Sequence, residues 1–331
     1  MIENRIVAFD TLGQYLHDLD TAHWKKAIDR ACHENPWFTR GHIELSISAF
    51  EHWLKASQLK QWLSNYSLDD VAPKKVAIIM AGNIPLVGFH DLLCVLIAGH
   101  QAIVKLSSKD RVLMNEIINA ITAIDSSLSE NIIIVDKIDT SIDAVIATGN
   151  NNSFRQFQYY FGKYPSILRK SRTSVAVLEG NETLEERKEL AKDVFLHFGL
   201  GCRNVTKIYV PLEYHFELLT DAFVDNKDLI QNHKYANNYE YHKVIYALAN
   251  QHVIDIGFVI LKEDESLHSP VSVLHYEYYQ DKRHLEQLLQ KDADTIQCVV
   301  GKHFIPFGQA QFPQLTDYAD GIDTLSFLET L

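Results

Sequence analysis

The chain is predicted to be an α/β protein built on a doubly wound sheet, and three observations carry that prediction. From residue 76 onward, short apolar runs suited to buried parallel strands alternate with stretches of helical periodicity. Polar, glycine-containing turns follow several of the runs, where a doubly wound sheet binds its ligands. The 331 residues, 47% hydrophobic and 22% charged, suffice for two cored domains.

The first seventy residues read as a helical layer, with apolar residues at three- and four-residue intervals over 11–19, 21–33 and 39–64 and a break at Asn35-Pro36. The run 76–81 is the first strand, followed by a helix over 85–98 that Gly99-His100 ends. A strand at 102–106, a helix over 109–124 and strands at 132–135 and 144–147 come next. Thr148-Gly149-Asn150 then opens a helix through Phe161. Further on, strands are expected at 174–178, 207–210, 256–261, 271–276 and 295–300, and helices over 184–198, 214–225 and 241–250.

Composition excludes several classes of function. With 31 basic and 43 acidic residues the formal net charge is -12, and no basic stretch alternates with aromatics, so neither nucleic acid nor an anionic membrane is an expected partner. The apolar region 76–106 is interrupted by Asn83, Pro85, His90, Asp91, His100 and Lys105, too many polar groups for a membrane span. Cys32, Cys94, Cys202 and Cys298 lack CxxC spacing, and Met1-Ile2-Glu3-Asn4-Arg5 has no apolar signal core; reduced thiols in a cytoplasmic protein are expected. The sixteen histidines are dispersed, with no HExxH and no Cys/His cluster, so no metal site is expected.

The segment of most chemical interest is Phe198-Gly199-Leu200-Gly201-Cys202-Arg203-Asn204, between an amphipathic helix and an apolar strand. Glycines ahead of a thiol keep it approachable, and a neighbouring arginine favours the thiolate. On its own the segment better suits a small core thiol at a helix end. No GxGxxG is present, so the standard dinucleotide fingerprint is absent.

Five segments in order resemble the aldehyde dehydrogenase superfamily. Ala81-Gly82-Asn83-Ile84-Pro85-Leu86 resembles its Trp-Asn-Phe-Pro loop, and Val104-Lys105-Leu106-Ser107-Ser108 its Lys-Pro-Ser segment. Ala147-Thr148-Gly149-Asn150 is similar to Phe-Thr-Gly-Ser, Gly199 to Cys202 to Gly-Gln-x-Cys, and Ile305-Pro306-Phe307-Gly308 to the late Pro-Phe-Gly. Within the superfamily the pattern most resembles the LuxC-type acyl-CoA reductases, through Met80 to Pro85, Phe307-Gly308-Gln309-Ala310-Gln311 and Asp317-Tyr318-Ala319-Asp320-Gly321. The resemblance covers residue 71 to the C-terminus. It implies an aldehyde-dehydrogenase-like fold: a helical segment over 1–70, a doubly wound dinucleotide-binding domain over 71–172, a smaller α/β catalytic domain over 173–300 and a segment over 301–331 returning to the cleft.

The resemblance also implies roles. Cys202 attacks the acyl carbonyl, and Asn83 with the Cys202 backbone N–H stabilises the oxyanion. Taken alone, Asn83 is as well suited to a turn or cap before Pro85, and Lys105 to plain solvation at a strand end. In the family pattern, Lys105 meets the adenosine ribose hydroxyls and Ser107 or Ser108 a ribose 2′-phosphate. Thr148, Gly149 and Asn150 offer the start of a helix to a pyrophosphate, a role compatible with simple capping. The chain departs from the pattern where aldehyde-oxidising members carry a water-activating glutamate: Ile167-Leu168-Arg169-Lys170-Ser171 holds no carboxylate, Glu179 aligns better with the following turn, and Glu265 is only a displaced counterpart of a second cofactor glutamate.

The function so implied is reduction of a long-chain acyl-CoA, or an acyl-carrier thioester, to the aldehyde by NADPH or NADH through a cysteine thioester. An acyl-phosphate reductase, or a non-catalytic family member serving an acyl-transfer complex, is the alternative. A homo-oligomer is expected, with an acyl-activating enzyme as a further partner.

Overall fold

The computed structural model describes residues 2–69, 71–138 and 141–331. By its internal contacts the chain divides into two units, Met1–Ser171 with Gln314–Leu331, and Arg172–Pro313.

The first unit opens with four helices, α1 Ile2–Leu16, α2 Ala22–Glu34, α3 Arg40–Trp53 and α4 Ala56–Leu63. Thr21 and Thr39 cap α2 and α3 by accepting the amides of Trp24 and His42. The single helix expected over 39–64 is two helices, because Asp10 of α1 accepts the Ala56 N–H at 2.6 Å and restarts the chain there. There follow β1 Lys75–Ile79, α5 Phe89–Ala98, β2 Gln101–Lys105, α6 Arg111–Ile124, α7 Ser126–Ser129, β3 Ile132–Ile134, β4 Ala144–Thr148, α8 Asn151–Phe161 and β5 Ser166–Arg169. The five strands form one parallel sheet in the order β3-β2-β1-β4-β5.

Side chains of this sheet alternate between its faces. Val76, Ile78, Ala102, Val104, Ala144 and Ile146 join the core beneath α1 to α6, while Ala77, Ile103, Val145 and Ala147 pack toward Phe157 and Phe161 of α8. Chain order reverses between β1 and β4, and a doubly wound sheet opens its ligand crevice at such a point.

The second unit contains β6 Thr173–Val177, α9 Leu184–Phe195, β7 Val205–Pro211, α10 Glu217–Phe223, α11 His233–Leu248, β8 Ile254–Asp255, β9 Ile260–Glu263, β10 Val273–Tyr279, α12 Lys282–Lys291 and β11 Ile296–Val300. Its sheet has the order β11-β6-β7-β10-β9-β8, parallel except for the short β8. The chain then rejoins the first unit. There Tyr318 accepts the Trp62 indole N–H at 2.9 Å, Asp323 accepts the Tyr66 hydroxyl at 2.8 Å, and Leu325 and Leu328 of α13 Thr324–Glu329 are fully buried. Among the described residues no helix is long and apolar enough to cross a membrane, and no group of three or more His, Cys, Asp or Glu side chains gathers as a metal site.

Candidate active site

In the first unit the expected cofactor residues stand at the carboxyl edge of neighbouring strands. Lys105 ends β2 and pairs in register with Ile79 of β1; Ile79 in turn pairs with Ala147, the residue before Thr148. Asn83 follows β1 on a half-buried bend. Ser107 is half-buried and Ser108 exposed on the turn after β2. Gly149 and Asn150 lead into α8, whose first turn Asn150 caps by accepting the Ser153 N–H at 2.9 Å. An ammonium, hydroxyls and a helix amino end on either side of the β1–β4 reversal suit a ligand bearing phosphates and ribose.

Two buried ionisable side chains, neither singled out by sequence reasoning as a site residue, shape this edge. Arg169, 3% exposed, places its guanidinium 2.6 Å from Asp91, donates to the Thr148 hydroxyl at 3.3 Å and to the Thr324 hydroxyl at 3.1 Å, and accepts the Gly149 N–H on its own carbonyl at 3.3 Å. Burial works against its charge, but the Asp91 carboxylate outweighs that cost and raises its pKa. The segment 167–171, in which the sequence offered no carboxylate, thus includes the end of a strand, β5, whose terminal charge is a paired arginine.

Asp110 is the second. Its Oδ2 accepts the Leu86 N–H at 2.6 Å, holding Leu86 in the left-handed region (φ 59°) at the end of the Asn83 loop. Gly82 fits closely against it: a Cβ there would lie 2.5 Å from Ser107 Oγ and 3.2 Å from Asp110 Cβ. Burial pushes the Asp110 carboxyl up to about 8, opposed by the Leu86 N–H. Between about pH 4 and 8 the native protein therefore holds a proton that an unfolded chain has released, and this group lowers stability as pH rises through that window. Asp110→Asn, which retains an acceptor for Leu86, is expected to flatten that part of the profile and to gain on the natural protein in Tm at pH 8.5 relative to pH 5, read by thermal unfolding at the two pH values.

Cys202 lies in the second unit, half-buried on a turn just ahead of β7. Helix α9 begins with a capping box between Thr183 and Glu186 and stops at Phe195. His197 (φ 52°), Phe198 (φ 57°) and Gly199 (φ 75°) then run left-handed in succession. Such a conformation costs about 1–2 kcal/mol at a residue with a side chain and little at glycine. The tilted contact of Phe198 with Tyr235, ring centroids 5.9 Å apart, and the Leu200 N–H donated to the His197 carbonyl at 3.2 Å help offset it. Asn204, fully buried, and the hydroxyl of Ser174 in β6 then bind the backbone around Cys202.

The late Pro-Phe-Gly segment is fastened nearby. Asp193 of α9 accepts the Gly308 N–H at 2.6 Å and the Ala310 N–H at 2.9 Å, and Arg203 donates to the Ala310 carbonyl at 2.5 Å. Burial outweighs the two amides and pushes the Asp193 carboxyl up to about 6. Glu179 lies elsewhere. It follows the C-terminal end of β6, beside His303 at 3.3 Å, whereas Cys202 precedes the N-terminal end of β7, which runs parallel to β6 with Ser174 opposite Val205. Glu265 is on the loop after β9, its side chain 83% exposed and its carbonyl accepting Lys207 at 2.7 Å. Asn204 was visible in the sequence beside Cys202; Ser174, Asp193 and Asp110 carried no motif of their own.

The fold is that of the aldehyde dehydrogenases. Solved structures similar to this chain include a Mycobacterium tuberculosis aldehyde dehydrogenase complexed with NAD+ (13% identity, TM-score 0.65, covering 90% of this chain and 72% of that one). An NAD-dependent benzaldehyde dehydrogenase from Corynebacterium glutamicum matches at 13% identity with TM-score 0.68, over 91% of this chain and 76% of its own. Betaine aldehyde dehydrogenase from Staphylococcus aureus, in complex with NAD+, matches at 12% and 0.66, over 91% and 70%. Identities this low speak for the fold alone. A comparison with curated protein sequences finds no match. The family model described as acyl-CoA reductase (LuxC) matches residues 37–216, more than half of the chain. The protein belongs to the LuxC acyl-CoA reductase family and is an aldehyde-forming oxidoreductase.

Proposed function

We propose that this acyl-CoA reductase acts on a long-chain acyl thioester through Cys202, with NADPH or NADH as reductant. The Cys202 thiolate adds to the thioester carbonyl, the Asn83 amide and the Cys202 backbone N–H take the oxyanion, and its collapse expels the CoA thiolate and leaves the acyl group on sulfur. A reduced nicotinamide supplies hydride when bound. With Lys105 at the ribose hydroxyls, Ser107 or Ser108 beside the 2′-position and the Thr148-Gly149-Asn150 helix start at the pyrophosphate, this chain would hold such a dinucleotide across the β1–β4 reversal. Cys202 leaves as thiolate when the reduced acyl carbon becomes an aldehyde, and one acyl-CoA, one hydride and one proton give one aldehyde and one CoA.

The observation that most supports reduction over hydrolysis is at Arg169. The segment Ile167-Leu168-Arg169-Lys170-Ser171, which the family resemblance sets against the water-activating glutamate, has no carboxylate but an arginine paired with Asp91, and the nearest acid in sequence, Glu179, stands beyond the opposite end of the β6–β7 strand pair from Cys202. Water then lacks a positioned proton acceptor, a loss of about 10²- to 10⁴-fold in rate. The test is a single turnover with a radiolabelled acyl-CoA series and each nicotinamide. Aldehyde should form on addition of reductant, with free acid released slowly in its absence, and Glu179→Gln should change neither rate by more than about twofold. Rapid nucleotide-independent acid release that Glu179→Gln abolishes would make Glu179 a base and the enzyme a hydrolysing one.

A further inference from the structure

The four residues from Gly201 to Asn204 form a closed turn. The Asn204 N–H donates to the Gly201 carbonyl at 3.1 Å, and Asn204 Oδ1 accepts the Gly201 N–H at 2.8 Å, so the chain is tied in both directions across Cys202. The same side chain turns its Nδ2 the other way and donates to the carbonyls of Asp193 at 3.0 Å and Leu196 at 2.9 Å, where α9 ends and the left-handed run begins. The amide thus uses its acceptor and both of its donors inside the protein, and it is fully buried. From β6, the Ser174 hydroxyl donates to the Cys202 carbonyl at 3.0 Å and anchors the turn to the sheet.

We infer that Asn204 is a positioning residue for Cys202: its amide fixes the peptide planes that carry the thiol and the adjoining backbone N–H, so the rate of acyl transfer depends on it while affinity for acyl-CoA does not. The inference rests on the reading of Cys202 as nucleophile. A residue that only terminated α9 would need the two carbonyl bonds; the bond to Gly201 points into the turn and serves the cysteine. Both the direction of sulfur attack and the direction of the Cys202 N–H follow from those planes, and a misplacement of about 1 Å in a reacting group costs on the order of 10²-fold in rate.

The test compares Asn204→Ala and Asn204→Asp with the natural protein. Alanine loses every bond. Aspartate keeps an acceptor for the Gly201 N–H but sets an oxygen against the Asp193 and Leu196 carbonyls. Single-turnover acylation of Cys202 is expected to fall about 10²-fold in Asn204→Ala, with the acyl-CoA Kd within about threefold and the rate of Cys202 alkylation by iodoacetamide, which needs no oxyanion geometry, also within about threefold. Asn204→Asp should acylate faster than Asn204→Ala although its Tm is no higher. Acylation rates that simply follow Tm across the two variants, or an Asn204→Ala rate within threefold of the natural one, would overturn the inference. Should Asn204→Ala not fold, hydrogen exchange in the natural protein decides: a Gly201 amide protected like the β7 amides supports the role, and exchange at the rate of an open turn removes it. The underlying reading fails separately, if the natural protein carries no acyl group on Cys202.

Discussion

Cys202→Ala is expected to remove covalent acylation and to lower aldehyde formation by about 10⁴- to 10⁶-fold. The size follows from the division of labour in nucleophilic catalysis. Without a thiolate there is no acyl-enzyme for hydride to reduce, and direct reduction of the bound thioester keeps only the help of binding and the oxyanion donors. The other thiols are poor substitutes. Cys94 is fully buried in α5, and burial raises its pKa well above the ordinary thiol value, so it stays protonated. Cys32 lies in α2 with its pKa also raised by burial, and Cys298 lies within β11 with its sulfur 3.0 Å from the Ser174 hydroxyl. Mass spectrometry after incubation with acyl-CoA, without reductant, should find the adduct on the Cys202 peptide and nowhere in Cys202→Ala. Undiminished acylation of that variant would move the nucleophile elsewhere.

Asn83→Ala is expected to reduce kcat by about 10²- to 10³-fold with little change in KM, the effect of deleting one oxyanion donor. A side chain that meets charge only as it develops contributes to the transition state and not to substrate binding, so the loss appears in kcat and kcat/KM together. The structure makes the variant a clean test, because the backbone of the Asn83 loop has its own support: Asp110 holds the Leu86 N–H, and Gly82 packs against Ser107. Folding should therefore survive, and an unaltered Tm beside a collapsed kcat is the signature to look for. If kcat stays within threefold while Tm drops, Asn83 is a turn residue ahead of Pro85 and another donor must be sought.

Elements whose own residues carry a clear local pattern were legible in the sequence. The runs that became β1, β2 and β4 are short apolar stretches buried continuously on both faces, α5 is apolar almost throughout, and α6 and α9 bury residues three and four apart. Those that depend on distant partners were not. Strand β5 is four residues, Ser166-Ile167-Leu168-Arg169, and its charged end reads as a surface until Asp91 and Thr324 supply the ion pair and hydrogen bond that let Arg169 be buried. Helix α12 hides its narrow stripe of Leu285, Leu288 and Leu289 among charged and polar residues. Helix α11 starts at His233, not at 241, because Asn232 caps it and Tyr235 and Tyr239 are buried by their neighbours.

The same division holds at the candidate site. Sequence by itself determined the superfamily and singled out Cys202, Asn83 and the loops after β1, β2 and β4 as candidates, since each rests on residue types in local order. Only the tertiary structure decided what holds them. Asp110 reaches Leu86 from 24 residues away, Asp193 reaches Gly308 from 115, and the cross-strand register opposes Ser174 to Val205 so that its hydroxyl can take the Cys202 carbonyl. A buried polar side chain is tolerable only when satisfied, and the groups that satisfy these are backbone amides and carbonyls, which every residue possesses and no sequence motif marks.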